Sequence, residues 1–365
     1  MSSLERAADV AAKLGLLRDC LERSSAAAIC LRGIDWFAWV TAGGSSAVLH
    51  TAELGVAEVR VTREEAVILT DEIEAARLRE EEVPAGFTFH VTPWAQVELR
   101  ARYVLGVAGD GLVLSDRPHG HEQPLPNALR QRRLVLGDAE QARYRLLGRE
   151  AAEAMTEVLR AARPEWTEYE LAGAGAAALW RRGIHPALVL AAGARRLPVY
   201  RHPTPSHEPI GARAMLVFCA RRHGLYANLT RFVSFASFGA APEEQGALME
   251  VEATGLATVV PGKSLSAVYH ALAAAYNHAD RRDAIDEHHQ GGITGYLARE
   301  IVATPSTATE LEEGMAFAFN PSFAGLKIED TFLLGPHGLD NLTLDPQWPA
   351  VTVHGRQRPL WLETN

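Results

Sequence analysis

The stretch MLVFCARRHGLYANLTRFVSF, residues 215–235, decides how the rest of the chain is read. An apolar run from Met215 to Cys219, a basic turn closed by Gly224 and a second run ending in Thr230 and Arg231 predict a β-hairpin that carries side chains into a pocket. No acid occurs anywhere in it, and this lack bears directly on the chemistry such a pocket can perform.

Working outward, 365 residues with 22% charged and 47% hydrophobic suffice for two domains of ordinary globular composition. A formal charge of -9 argues against a nucleic-acid or anionic-membrane footprint. Cys20, Cys30 and Cys219 are too few and too scattered for a disulfide framework or a thiolate zinc site, so they are expected to be reduced. Glu5 and Asp9 stand where a signal peptide would be apolar, and no run of about 18 apolar residues occurs. The expectation is a cytoplasmic protein with no membrane and no nucleic-acid partner.

In chain order, residues 3–23 carry apolar positions at helical spacing (Val10, Leu14, Leu17, Leu21), which predicts an amphipathic helix. Apolar segments at 27–31, 36–40, 56–62 and 65–70 read as strands, followed by a charged helix over 72–82 and a strand over 88–91. Residues 105–138 are rich in Gly, Pro and Arg and read as a linker, with domains at 1–137 and 138–365. A helix over 139–163 opens the second domain. Thr167 and Glu170 form a Thr-x-x-Glu capping box for the next helix. Two helices near 242–259 and 265–282 then alternate with strands at 316–320 and 331–334. Periodicity alone gives α/β or α+β. Gly291, Gly292 and Gly295 lack phosphate-loop spacing, and Ser234 and Ser237 lack a nucleophile-elbow pattern.

The hairpin resembles that of the creatinase/prolidase/methionine aminopeptidase (M24, "pita-bread") metallopeptidases, whose pattern is Asp-x-Gly, four residues, then Gly-Tyr-x-Ser-Asp-x-Thr-Arg. Gly224, Leu225, Ala227, Asn228, Thr230 and Arg231 carry the closing part. Gly314-Met315 through Asn320-Pro321 is similar to the family's Gly-Met-x-x-x-x-Glu-Pro, and Gly325 through Glu329-Asp330-Thr331 to its Gly-x-x-x-Glu-Asp-Thr. The resemblance covers nearly the whole chain. It implies an α/β N-terminal domain followed by an α+β pita-bread catalytic domain, and a homodimer in which the N-terminal domain of one copy leans over the pocket of the other.

The family holds two metal ions with two Asp, one His and two Glu, because divalent cations favour carboxylate oxygen and imidazole nitrogen. Aligned on this chain, those places fall on Val217, Asn228, Gly292 (His289 if a gap is allowed), Asn320 and Glu329. Two residues cannot supply the charge for a dinuclear site, so the expectation is no metal and no other cofactor. Creatinase is the family's precedent for hydrolysis without metal. By analogy, His202 is the first candidate for a general base, with His207 on the same loop as fallback and with His288, His289 and Glu329 as further catalytic candidates. Arg299 matches the arginine that creatinase uses on its substrate carboxylate. Asn228, Arg231, Gln290, Tyr296 and Asn320 are further candidates to contact a small, amino-acid-like substrate. For Glu329 an ion pair with Arg231 or Lys327 is the competing role. The expected activity is metal-independent, creatinase-like hydrolysis of a carbon–nitrogen bond, elimination or cyclisation being alternatives within the same pocket. A metal-dependent Xaa-Pro aminopeptidase or dipeptidase, or an inactive binding protein on the same fold, are the other readings.

Overall fold

The computed structural model describes residues 3–236 and 241–364; Ser237 lies outside them. Two compact units divide the chain. One is built from residues up to Arg133 together with Gly137–Arg143 and His223–Leu225, and the other from Leu134–Leu136, Tyr144–Arg222 and Tyr226 onward.

In the first unit the helix Ser3–Ser24 buries Val10, Leu14, Leu17 and Leu21, the stripe its spacing predicts. The sheet has six strands: β1 (Ala28–Gly33), β2 (Leu54–Val61), β3 (Ala66–Asp71), β4 (Thr88–Thr92), β5 (Val113–Ser115) and β6 (Gln123–Pro124), in the order β4-β3-β2-β1-β5-β6. The β1–β2 and β2–β3 pairs are antiparallel, and the outer pairs are parallel. Three expectations are corrected here. Residues 36–40 lie in a helix, Ile34–Val40, and every residue of it is buried. A helix buried on all sides has no polar face, so its apolar run cannot be told from a strand by period. The charged segment 72–82 forms only a short helical turn, Ala75–Arg77, running into a π-turn at Leu78–Glu82. Asp71 delays its start by accepting hydrogen bonds from the amides of Ile73 and Glu74. The region read as a linker, 105–138, holds β5, β6 and the helix Asn127–Leu134, and it opens inside the helix Glu98–Ala108, whose Val104 and Ala108 pack on Ala28, Cys30, Val67 and Leu69.

In the second unit, the strands β7 (His185–Gly193), β8 (Arg213–Arg222), β9 (Leu225–Ser234) and β19 (Leu362–Glu363) form one sheet in the order β19-β9-β8-β7. The predicted hairpin is β8–β9. His223 and Gly224 at its turn have φ of 53° and 81°, the two left-handed residues of a tight primed turn, where glycine costs nothing. A second sheet has the order β11-β10-β12-β15-β16, from Ile301–Val302, Gly291–Thr294, Ala316–Phe319, Asp330–Gly335 and Gly338–Asn341. A bridge between Thr230 of β9 and Glu329, just before β15, joins the two sheets. Two short ribbons complete the strand set: β13 (Ser322–Phe323) with β14 (Leu326–Lys327), and β17 (Ala350–Val353) with β18 (Arg356–Pro359). The helices Glu168–Trp180, Ala241–Thr258 and Leu265–His278 accompany these sheets, and the last two contribute Leu248, Met249, Val268 and Leu272 to a core shared with Met215, Val217, Phe319 and Phe332.

Candidate functional site

The β13–β14 ribbon sets Ser322 directly opposite Lys327, so the two side chains share one face. The ribbon's entry is fixed by Tyr276, whose hydroxyl accepts from the Ser322 amide at 2.9 Å and donates to Gln290 Oε1 at 2.8 Å. Gln290 in turn donates from Nε2 to the carbonyls of His288 at 2.9 Å and Ile285 at 3.2 Å. One buried pair, Tyr276 with Gln290, therefore positions the backbone of both Ser322 and His288. The His288 ring lies between two partners: Nδ1 is 2.5 Å from the carbonyl oxygen of His289, and Nε2 is 2.6 Å from Ser322 Oγ. A carbonyl can only accept, which puts the proton on Nδ1 and leaves Nε2 to accept from the Ser322 hydroxyl. Burial pushes the His288 pKa down to about 4, so the ring is neutral near neutral pH.

Glu329 is the electrostatic centre. Its Oε1 accepts from Arg299 Nη2 at 2.7 Å, and its Oε2 accepts from Thr230 Oγ1 at 2.9 Å and pairs with Lys327 Nζ at 2.8 Å. Burial alone would raise this carboxyl, but the Lys327 ammonium and the Arg299 guanidinium overcome it and hold the pKa at about 2. Two cations against one carboxylate leave a surplus positive charge. The neighbouring charges do not cancel it, because Asp330 and Glu252 are matched by Arg231 and Arg358. The Cys219 thiol is pushed up to about 11 by burial, helped by Glu329, which keeps it protonated near neutral pH.

His202 lies on the loop before β8 and forms no hydrogen bond with the described residues. Its ring is stacked 5.9 Å from His289 and edge-on 6.3 Å from His288, and burial lowers its pKa. His202, His288, Asn320, Ser322 and Lys327 border one partly open gap. Asn320 is buried, and its Oδ1 has no partner among the described residues. The other candidates are drawn into the scaffold. Gln290 serves the clamp above. Arg231 donates to Thr230 O, Asp330 Oδ1 and Thr343 O. Asn228 donates to Thr294 Oγ1 and accepts, through its backbone carbonyl, from Thr331. Tyr296 is buried in the turn whose amides Glu300 accepts. Arg299 points to Glu329, its Nε buried and without a partner among the described residues. His207 sits edge-on to Tyr169, 4.9 Å away. Lys327 stands out in the sequence only as a partner for Glu329, and Ser322 does not stand out at all. Ser322 lies 34 residues from His288, so no local spacing could flag the pair.

The donor set does not fit the metal pair that the resembled family implies. Val217 belongs to the apolar core. Gly292 has a φ of 155°, and a Cβ there would meet the Ile301 carbonyl at 2.1 Å, so no imidazole fits at that place. Asn228 and Asn320 carry no charge, and both Glu329 oxygens are taken by cationic donors. Among the described residues no group of three or more His, Cys, Asp or Glu is placed to hold an ion.

A sequence model of metallopeptidase family M24 matches residues 142–336. Solved structures share the fold over nearly the entire chain. An Xaa-Pro dipeptidase from Bacillus anthracis is 16% identical with a TM-score of 0.79, covering 97% of this chain and 100% of that one. The dipeptidase PepE from Mycobacterium ulcerans is 17% identical at 0.77, covering 98% and 99%. The prolidase from Pyrococcus horikoshii OT3 is 16% identical at 0.77, covering 91% and 98%. No curated protein matches the chain by sequence. Among the described residues no helix is long and apolar enough to cross a membrane.

Proposed function

The chain belongs to metallopeptidase family M24, and from that premise we propose that it hydrolyses a carbon–nitrogen bond in a small, amino-acid-derived substrate bearing a carboxylate, without the family's metal pair. The observation that carries this reading is the Lys327–Glu329–Arg299 cluster. Around the one family carboxylate that remains stand two cationic side chains with a surplus positive charge, suited to an anionic substrate group. His202, its pKa lowered by burial, is the base. It takes a proton from the water that attacks the scissile carbonyl carbon and returns it to the departing nitrogen. Three unpaired cysteines agree with a cytoplasmic location.

A metal-dependent Xaa-Pro peptidase is the second reading. Family membership and the dipeptidase-like fold favour it; the donor set weighs against it. The two separate in one experiment. Protein stripped with chelator is assayed with and without manganese, zinc or cobalt against Xaa-Pro dipeptides and N-substituted amino acids. Our reading expects the same turnover in both arms. On the substrate found, His202→Ala lowers kcat by roughly two to four orders of magnitude with KM little changed. Arg299→Ala chiefly raises KM, because it removes a charge-assisted contact of about 1.5–3 kcal/mol present before and during the reaction. Stoichiometric metal in the purified protein, with activity lost on chelation, overturns this reading in favour of the second. No turnover in either arm points to a binding protein.

A further inference from the structure

The pocket holds a hydroxyl and an imidazole in hydrogen-bond contact, a pair that a water-attack mechanism leaves unused. Ser322 Oγ donates to His288 Nε2 at 2.6 Å, and His288 Nδ1 is held by the His289 carbonyl at 2.5 Å. Lys327 stands opposite Ser322 across the ribbon. From this geometry we infer that Ser322 is a nucleophile and His288 its general base, an acyl-transfer dyad oriented by a backbone carbonyl. Nucleophile hydrogen-bonded to base, and base fixed by a third group, is the arrangement that covalent acyl transfer requires.

Two further features suit the role. Tyr276 and Gln290 clamp the backbone at both members, so the pair is positioned before any substrate arrives. Asn320 Oδ1 is a buried acceptor at the edge of the same gap with no partner among the described residues, and an incoming N–H would satisfy it.

The inference rests on the hydrolase reading and, in the first half of the reaction, replaces its attacking water by Ser322 and its base His202 by His288. Ser322 Oγ bonds to the acyl carbon as its proton passes to His288 Nε2, and Lys327 faces the charge that develops on the carbonyl oxygen. His288 then protonates the nitrogen, the carbon–nitrogen bond breaks, and the amine departs, leaving an ester on Ser322. Water, deprotonated by a pocket imidazole, attacks that ester, releasing the acid and restoring the hydroxyl. His202 is available for this second half.

The test uses the full-length protein and p-nitrophenyl acetate, a small acyl donor with a coloured leaving group. The expected result is a burst of nitrophenolate equivalent to the protein present, with acetyl mapped by peptide mass spectrometry to Ser322. Ser322→Ala abolishes the burst, Ser322→Cys restores it, and His288→Gln slows it by roughly two to four orders of magnitude. Acetyl found only on lysines or other residues overturns the inference, as does a burst unchanged in Ser322→Ala. Peptide mapping of the unsubstituted protein decides between these outcomes even if a variant does not fold. Amide hydrolysis without acetyl on Ser322 sinks the dyad and leaves the hydrolase reading standing. Acetyl on Ser322 in a protein that cleaves no amide does the reverse.

Discussion

Among the described residues the Glu329 carboxylate is bonded by donors alone: Thr230, Lys327 and Arg299. Its folded pKa of about 2 lies below the ordinary value of 4.5, so the unfolded chain binds more protons between these two limits. The stability it contributes is therefore complete above about pH 4.5 and is lost as the pH falls towards 2. His288 adds to the same trend from higher pH. Its folded value of about 4 lies below its ordinary 6.5, and the unfolded chain again takes up the extra proton as the solution is acidified. Denaturant unfolding should show stability beginning to fall below about pH 6.5 and falling further below 4.5. Glu329→Gln leaves two partly buried cations uncompensated and should cost about 3 kcal/mol at pH 7, a gap that narrows as the wild-type carboxylate protonates. A constant gap down to pH 2 would mean that the fold does not lower the Glu329 pKa. Of the ion pairs here, the sequence offered Lys327 with Glu329, because the two lie two residues apart. It could not offer Arg299, which reaches the same carboxylate from 30 residues away.

Elements were legible where a local chemical signal marks their ends. The capping box at Thr167 is formed as predicted: Thr167 Oγ1 accepts from the Glu170 amide at 3.1 Å, and the Glu170 carboxylate accepts from the Thr167 amide at 2.7 Å. Thr167→Ala should lower stability by about 1 kcal/mol. The midpoint of a urea titration reads this directly, and an unchanged midpoint would remove the cap from the account of that helix. The hairpin β8–β9 was likewise legible, from its two apolar runs and the glycine at its turn. Ile34–Val40 was not, because period distinguishes helix from strand only when one face meets water, and here none does. For Glu98–Ala108 the difficulty was composition: glycines and prolines flank it, and its buried stripe is only Arg100, Val104 and Ala108.

The whole chain has an α/β N-terminal domain and an α+β pita-bread domain of the M24 family. From the family resemblance we propose that the chain self-associates, the N-terminal domain of a second copy serving as a lid for the pocket. Light scattering at micromolar concentration should give a dimer of the 39.6 kDa chain, and a monomer would withdraw the lid. The charged interior bears on how tolerant the catalytic domain is. Arg358 is wholly buried and held by Glu252 at 2.6 Å through both its Nε and Nη2. Its Nη1 lies 2.9 Å from Asp330, which connects it to Arg231 and thus to the strand carrying Thr230.

Family, fold class and the missing ligands could be read from residues alone, because a motif such as Gly-x-x-x-Glu-Asp-Thr records local backbone demands and donor types that do not depend on what packs nearby. The composition of the pocket could not. Ser322 and His288, or Glu329 and Arg299, meet only when β10, β15 and the β13–β14 ribbon converge, and a hydroxyl acquires a base, or a carboxylate a second cation, through contacts between segments about 30 residues apart. Burial is likewise a property of the packed chain. It lowers the His288 pKa to about 4 and leaves Asn320 Oδ1 without a partner among the described residues, and it draws Gln290 and Arg231, polar residues that looked available to a substrate, into holding the site together.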